Sequence, residues 1–397
     1  MTVRNEVESV LRAWHLHEVE RGGAPIIDFD FFPQGPSVSP APDRLSVYAR
    51  LTELAGDSRT AQVPGLAARL TADLAYLGAQ LGERLALDDY VRATQGCSAT
   101  GWSSAYVAER GELATTLLES MGIGWHETTD VELRRAEEPM EAEEAESAIR
   151  RAAAEYEPLV REVTESSAPY ELTVESVNVD AYWAYWLDGA GPRVRLRLNP
   201  RNARFTRVGA RQFALHEVLG HGLQGASFAH RCAEVDVPWV RVLSVHAPTQ
   251  VVLEGLAQSL PLFVTPDDDV LVARVHVDHY LQLVRSELHL AINRGVGVNK
   301  CVAHARERVP FWTDEQIGDL IADRGANPLL RSYLWSYPAG FDWFVRLAEA
   351  DTEEAATVLR AAYRAPLTPS ELPALWKAGP CVGGCGDPTP PRSLDPR

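Results

Sequence analysis

The segment from Arg211 to Gln224 holds two histidines and a glutamate within six residues of an otherwise apolar stretch. The apolar residues favour a helix, and the histidine spacing restricts which helix it can be. His216 and His221 are five positions apart, whereas side chains on one face of a regular helix recur every three or four positions. At about 100° per residue, the two rings would lie roughly 140° apart around a regular helix. The imidazoles can therefore meet at one point only if the helix is distorted.

A one-residue π-bulge would bring the two rings together, and such bulges are frequent at functional sites. Gly220 and Gly222 flank His221 and tolerate this distortion, although each costs about 1 kcal/mol relative to alanine in a helix interior. The glycines therefore agree with a deformed helix at this position.

A second apolar helical stretch, Val251–Ala257, places the carboxylate of Glu254 33 residues after His221. A glutamate is almost never fully buried unless it is paired or bound to a cation. Two imidazoles and a carboxylate are the three protein ligands of many catalytic zinc sites. We therefore predict that His216, His221 and Glu254 bind Zn²⁺. The alternative is a structural cluster in which the polar side chains only satisfy one another.

Two known families resemble this part of the chain. A large, mostly helical family of bacterial metallopeptidases, long catalogued as a domain of unknown function, carries the motifs H-E-x-x-P-G-H-H-L-Q and E-G-W-A. The chain is similar, with H-E-V-L-G-H-G-L-Q from His216 to Gln224 and E-G-L-A from Glu254 to Ala257. The proline and the second adjacent histidine are absent here, and Phe344 stands where that family has a tyrosine. The shorter resemblance is to tyrosine carboxypeptidases with HExxxH and E-G-L-A, which match in spacing.

Both families consist of zinc peptidases with two histidines and one glutamate as ligands. The resemblance implies a gluzincin-like metallopeptidase fold and hydrolysis of a peptide bond. In such a site Zn²⁺ lowers the pKa of a bound water from 15.7 toward about 7. Glu217 lies beside a ligand without being one, and we expect it to act first as general base and then as general acid.

Further candidate residues follow along the chain. Tyr333 and Tyr337 are four residues apart and share a helical face. Helical zinc peptidases often direct a tyrosine hydroxyl at the developing oxyanion, and Tyr337 is the candidate for this role. On a predicted long helix over residues 270–293, Arg285 or His289 could bind a substrate carboxylate or share the oxyanion.

The predicted fold is mainly α, with a small β-sheet next to the active-site helix. We expect an N-terminal helical region over residues 1–170, a metal-binding catalytic region over 171–378 and a C-terminal tail over 379–397. Alternation of arginine with apolar residues from Arg193 to Leu198 predicts strands within 172–199. The aromatic stretch Tyr182–Trp186 would either line the cleft or form a core cluster. Residues Ile26–Phe32 could cross the core as an extended arm.

Composition excludes several classes of partner. The net charge of −17 argues against nucleic acid and anionic membranes, which select for basic patches. No apolar run reaches the length of a membrane span, and the first residues do not resemble a signal peptide. Five scattered cysteines do not suggest a disulfide framework. These features predict a cytoplasmic protein.

The sequence thus predicts a zinc-dependent hydrolase, a peptidase acting on a peptide or a small amide. Three alternatives stay open. The ligand set also suits non-haem Fe(II) chemistry, in which Glu217 would have no evident task. A metal enzyme of a small-molecule biosynthetic pathway is the second, and a non-catalytic helical scaffold is the third. The sequence does not indicate an oligomeric state.

Overall fold

The computed structural model describes residues 2–180, 183–350, 353–386 and 394. Most of these residues are helical, which confirms the predicted mainly α class. The α-helices have the following bounds: α1 Val3–Glu20, α2 Arg44–Gly56, α3 Leu66–Gln80, α4 Leu87–Gln95, α5 Ser104–Ser120, α6 Thr129–Ala136, α7 Ala142–Thr164, α8 Arg207–Phe213, α9 Gln224–Glu234, α10 Gln250–Val264, α11 Asp269–Asn293, α12 Val298–Arg308, α13 Asp314–Gly325, α14 Pro328–Tyr333, α15 Ser336–Glu349, α16 Glu354–Arg364 and α17 Leu372–Leu375.

One small mixed sheet accompanies the helices. Its strands are β1 Phe29–Asp30, β2 Glu171–Ser176, β3 Tyr185–Ala190, β4 Arg193–Leu198 and β5 Val242–Leu243, in the spatial order β2-β4-β3-β1-β5. Strand β4 pairs in parallel with β2 and antiparallel with β3. Strand β1 pairs in parallel with β3 and antiparallel with β5. The strands predicted within 172–199 are confirmed, and so is the extended arm, which contributes β1.

The largest apolar cluster surrounds the predicted metal helix. It includes Ile149 of α7, Leu219, Leu256 of α10, Phe344 of α15 and Leu359 of α16, all buried. On β4, buried apolar residues alternate with arginines. Val194, Leu196 and Leu198 are buried, whereas Arg193 and Arg195 are exposed. Burial on one face only fixes the strand register, because a one-residue slip would put the arginines in the core. The sheet therefore lies against the predicted metal helix, as the sequence indicated.

Glycines allow α10 to lie in backbone contact with two neighbours. A Cβ on Gly255 would come within 2.2 Å of the backbone of Gly340 in α15. On the other side, a Cβ on Gly220 would come within 2.7 Å of the Cβ of Ala257. The small residues of E-G-L-A thus have a packing role. They bring the helix that carries Glu254 against both the histidine helix and α15.

The stretch predicted as a tail begins with residues that contact the loop after α4. The N–H of Gly101 donates to the carbonyl oxygen of Gly383 at 3.0 Å, and the Thr100 hydroxyl donates to that of Gly384 at 3.0 Å. Most of the remaining stretch lies outside the described residues.

Among the described residues, no helix combines the length and the apolar character that crossing a bilayer requires.

Candidate metal centre

The histidines lie on a π-helix that runs from Ala214 to Leu223, between α8 and α9. In a π-helix each N–H bonds to the carbonyl five residues earlier, so that residues five apart come onto one face. His216 and His221 have this spacing, and their Nε2 atoms are 3.2 Å apart. The predicted distortion of the helix is confirmed. It extends over ten residues rather than the single bulge that we expected.

Glu254 reaches the two imidazoles from α10. Its Oε2 atom lies 3.6 Å from Nε2 of His216 and 3.5 Å from Nε2 of His221. Ligands bound at about 2.0–2.1 Å to a tetrahedral zinc ion are separated by roughly 3.3–3.4 Å, the edge of the tetrahedron. The three observed separations of 3.2, 3.5 and 3.6 Å lie close to that value. The donor atoms therefore have the spacing of three ligands around one small cation.

The Oε2 atom of Glu254 has no hydrogen-bond partner, although the side chain is buried. A buried carboxylate oxygen that accepts no hydrogen bond is costly, and a cation bound between it and the two imidazoles would satisfy it. Burial would raise the pKa of Glu254, but the neighbouring His221 and His216 outweigh burial and lower it. The residues present thus fit a divalent metal ion at this point.

The two histidines differ in their affinity for a proton. Burial and the nearby His221 lower the pKa of His216 to about 4. Burial also acts to lower the pKa of His221, but the Glu254 carboxylate outweighs it, and the pKa is raised. The cluster therefore accommodates one positive charge among its ligand atoms. A proton on His221 or a metal ion could supply that charge.

Glu217 stands beside the three ligand atoms and lines the cavity described below. Its Oε1 atom is 3.4 Å from Nε2 of His216. One ligand atom each from His216, Glu217 and His221 can be chosen within 4.8 Å of one another. Burial raises the pKa of Glu217 to about 7, and the nearby Tyr185 phenol acts to lower it. A carboxyl group with this pKa can both accept and return a proton near neutral pH.

Two tyrosines complete the cluster on the side of α14 and α15. The Tyr333 hydroxyl donates to Oε1 of Glu254 at 2.5 Å, and the hydroxyls of Tyr333 and Tyr337 are 2.8 Å apart. Since the single Tyr333 proton is used on Glu254, Tyr337 must donate to Tyr333. Burial, followed by the Glu254 carboxylate, raises the pKa of both phenols well above the usual value. Both hydroxyls therefore stay protonated and can act as donors.

A cavity of about 760 Å³ opens beside the cluster. Glu217, His221, Glu254 and Tyr337 form part of its wall. The described residues 183–186 of the predicted aromatic stretch also line it, which confirms the cleft interpretation for them, whereas Tyr182 lies outside the described residues. The volume of the cavity is within the range of about 300–1,000 Å³ that is typical of small-ligand sites.

Two predicted residues do not line this cavity. The Arg285 guanidinium lies over the Trp312 ring, 5.6 Å from its centroid. The Nε2 atom of His289 lies 3.0 Å from the carbonyl oxygen of Arg331, and its ring contacts Trp335. Their predicted contact with substrate gains no support from this geometry.

Sequence reasoning missed two residues that contact the cluster. The sequence indicates only that Tyr333 shares a face with Tyr337, because its bond to Glu254 depends on how α14 packs against α10. Tyr185 was one member of an aromatic stretch, and its approach to Glu217 depends on where β3 lies relative to the π-helix. The alternation of residues along β3 could have indicated which aromatic side chains face the cleft.

No family model matches the chain, and no curated protein matches it. A solved structure described as "the putative lipoprotein from Colwellia psychrerythraea" is similar, with a TM-score of 0.55 and 14% sequence identity. The match covers 82% of this chain and 64% of that chain. This chain therefore spans less than two thirds of the length of that protein, and the likeness concerns the fold alone.

Proposed function

We propose that the protein is a zinc-dependent hydrolase of the gluzincin type that cleaves a peptide or a small amide. The observation that carries this proposal is the convergence of His216, His221 and Glu254, with an unpartnered carboxylate oxygen at the point where they meet. The carboxylate of Glu217 and the cavity adjoin that point, so that a proton acceptor and space for a substrate are both present.

A bound zinc ion would supply a water molecule of lowered pKa and would polarise the scissile carbonyl. The protein's own groups perform the proton transfers. Glu217 takes a proton at its carboxylate and returns it to the leaving nitrogen. Without a bound metal, burial raises the pKa of Glu217 to about 7. The charge of a bound zinc ion would lower that pKa and favour the carboxylate that accepts the first proton.

The Tyr337 hydroxyl would stabilise the oxyanion that forms on the scissile carbonyl. In the structure it donates to Tyr333, and a small rotation would free this proton for substrate. Tyr333 holds Glu254 in place through the second carboxylate oxygen. The Tyr185 hydroxyl, directed at Glu217, would orient the base.

Glu217, which is not one of the three predicted ligands, distinguishes this proposal from non-haem iron chemistry. Glu217 adjoins the ligand atoms and lines the cavity. An Fe(II) oxygenase needs no such general base beside its facial triad. The acid therefore favours hydrolysis over oxygen chemistry at this site.

The test combines metal analysis with turnover. Protein purified without added metal is incubated with a defined mixture of short peptides and aryl amides, and products are identified by mass spectrometry. We expect cleavage by the wild type, loss of cleavage on chelation and its return with Zn²⁺. Glu217→Gln should keep the zinc and lose cleavage by about 10³-fold or more, since it removes the base.

The matched control is Glu287→Gln, which changes a buried glutamate that accepts from His304 outside the cavity. It should keep both zinc and cleavage. Full cleavage by zinc-loaded Glu217→Gln would remove Glu217 from the proposed role, and a wild type that binds no zinc would overturn the proposal.

A further inference from the structure

The cavity beside the cluster is lined by acids and aromatic rings. Among the described residues in its wall there is no lysine and no arginine, whereas Asp28, Glu217 and Glu254 are all there. Glu217 and Glu254 belong to the candidate metal centre. Asp28 has no part in that centre, so it is a carboxylate without an assigned role.

Asp28 lies on the extended arm, just before β1. The neighbouring Phe29 ring lies against Gly225, where an added Cβ would come within 2.8 Å of it. Gly225 is four residues after His221, so this contact holds the arm over the helix that carries the cluster. The Asp28 N–H donates to the carbonyl oxygen of Leu243 in β5 at 3.0 Å. The backbone around Asp28 is therefore fixed on both sides.

The Asp28 carboxylate has unused bonding capacity. The Val245 backbone interacts with this carboxylate. The Oδ2 atom of Asp28 is nevertheless buried and has no hydrogen-bond partner. Burial raises the pKa of Asp28 to about 7, and Val245 and Arg69 offset only part of that rise. Arg69 itself is bonded to Asp73 and to Ser244 at 2.8 Å. No cation in the described structure is bonded to this oxygen.

We propose that Asp28 is a specificity-determining residue that binds a protonated amine of the substrate. The amine-bearing part of the substrate would lie among the rings of Phe31, Trp183, Trp186 and Phe228, which also line the cavity. Aromatic faces attract ammonium groups, and a carboxylate adds a charge-assisted hydrogen bond. This inference rests on the proposed function and assigns its substrate class: amides with a free amino group beside an apolar or aromatic side chain.

The same wall disfavours a substrate anchored by its carboxyl end. A terminal carboxylate needs a cationic or amide-rich partner, and the bidentate guanidinium of arginine is the usual one. Arg285, predicted for that role, lies over Trp312 and does not reach the cavity. Apart from the candidate metal centre, the described residues of this wall offer a carboxylate no cationic side chain.

Binding can be measured without turnover in Glu217→Gln protein as purified. Isothermal titration calorimetry would compare three probes: L-phenylalaninol, its N-acetyl derivative and N-acetyl-L-phenylalanine. These probes are respectively cationic, neutral and anionic at pH 7.5. We expect the cationic probe to bind about tenfold more tightly than the neutral one, the factor that one charge-assisted hydrogen bond supplies. The affinity for the anionic probe should not depend on Asp28, because the metal centre is the one cationic partner that this wall offers its carboxylate.

Adding Asp28→Asn should reduce the preference for the cationic probe to about threefold or less, since the amide keeps the shape and loses the charge. The matched control is Asp30→Asn on β1, whose carboxylate is paired with Arg12 outside the cavity. This control should keep the preference. Equal or tighter binding of the neutral acetylated probe, or an unchanged preference in Asp28→Asn, would overturn the inference.

These outcomes are separable from those of the hydrolase proposal. A preference that depends on Asp28 in a protein that cleaves no amide would contradict the hydrolase and leave the amine site standing. Cleavage confined to substrates with blocked amino ends would contradict the amine site and leave the hydrolase standing.

Discussion

The protein contains two kinds of buried histidine–carboxylate contact, and they differ in whether the carboxylate is satisfied. In the first kind, the His246 ring lies 2.8 Å from Asp73, which also accepts from Arg69. The His279 ring lies 3.0 Å from Asp342, which accepts from Tyr106 and Trp102 as well. None of these histidines or carboxylates lines the large cavity.

The candidate metal centre is the second kind. Glu254 faces two imidazoles at 3.5 and 3.6 Å, and its Oε2 atom accepts no hydrogen bond. The cluster also adjoins a cavity of about 760 Å³. Contacts between histidine and carboxylate therefore have two different roles in this protein. Pairs with a saturated carboxylate, away from the cavity, hold helices together, whereas a cluster with an unsaturated carboxylate beside the cavity has capacity for a ligand. Histidine and carboxylate proximity alone does not distinguish them.

The largest expected effect comes from exchanging a histidine in each kind of contact. His221→Ala should reduce bound zinc from about one ion per chain to under one tenth and lower turnover by about 10³-fold or more, because a ligand is lost. His279→Ala should keep the zinc. It should lower the free energy of unfolding by about 3–5 kcal/mol, because Asp342 loses its buried partner.

Elemental analysis and urea unfolding of both variants measure these two effects. Zinc retention by His221→Ala, or zinc loss by a folded His279→Ala, would remove the distinction between the two kinds of contact.

The sequence predicted more of the centre than of its surroundings. The five-residue spacing of His216 and His221 required a distorted helix, because a regular one separates their rings. The prediction of Glu254 as a third ligand came from its apolar helical context. Its approach to the histidines depends on the Gly255–Gly340 and Gly220–Ala257 contacts, which are tertiary.

Residues outside the motifs were predicted less well. Tyr185 and Asp28 come to the cavity from β3 and from the extended arm, far from the histidines in sequence. The predicted contact of Arg285 and His289 with substrate depends on their spacing along one helix. That spacing does not specify which elements the helix packs against. Their burial against Trp312 and Trp335 follows from tertiary packing.

The next largest effects should distinguish the roles of Tyr337 and Tyr333. Tyr337→Phe should lower kcat by about 10²–10³-fold and leave the zinc content unchanged, because it removes an oxyanion donor and no ligand. Steady-state kinetics on the best amide substrate and elemental analysis provide the measurements. An unchanged kcat would exclude the hydroxyl from the reaction.

Tyr333→Phe should act on the metal instead. It removes the hydrogen bond to Oε1 of Glu254, and loss of such an outer partner lowers metal affinity by about 10–100-fold. Competition with a fluorescent zinc chelator measures this affinity, with Tyr48→Phe on α2 as the control. A variant with full affinity would show that Glu254 needs no support from this hydroxyl.

The smallest effect concerns pH and the saturated His246–Asp73 pair. Burial lowers the pKa of His246 in the folded protein, whereas the unfolded side chain titrates near the usual value of about 6.5. The unfolded state therefore binds more protons below about pH 6.5, and stability declines as the pH falls from there. This histidine contributes at most about 1.4 kcal/mol per pH unit.

Urea unfolding of zinc-free protein between pH 7.5 and pH 5 tests the sign. His246→Gln should give a flatter dependence than the wild type, at the cost of lower stability at pH 7.5. A steeper dependence in the variant would contradict a neutral, buried His246.

The most direct test of the central claim is anomalous X-ray diffraction at the zinc edge from crystals of protein purified without chelator. We predict one strong peak, bonded at about 2.0–2.2 Å to Nε2 of His216, Nε2 of His221 and a carboxylate oxygen of Glu254. A zinc-replete crystal with no peak there, or with the two rings turned away from each other, would contradict the account.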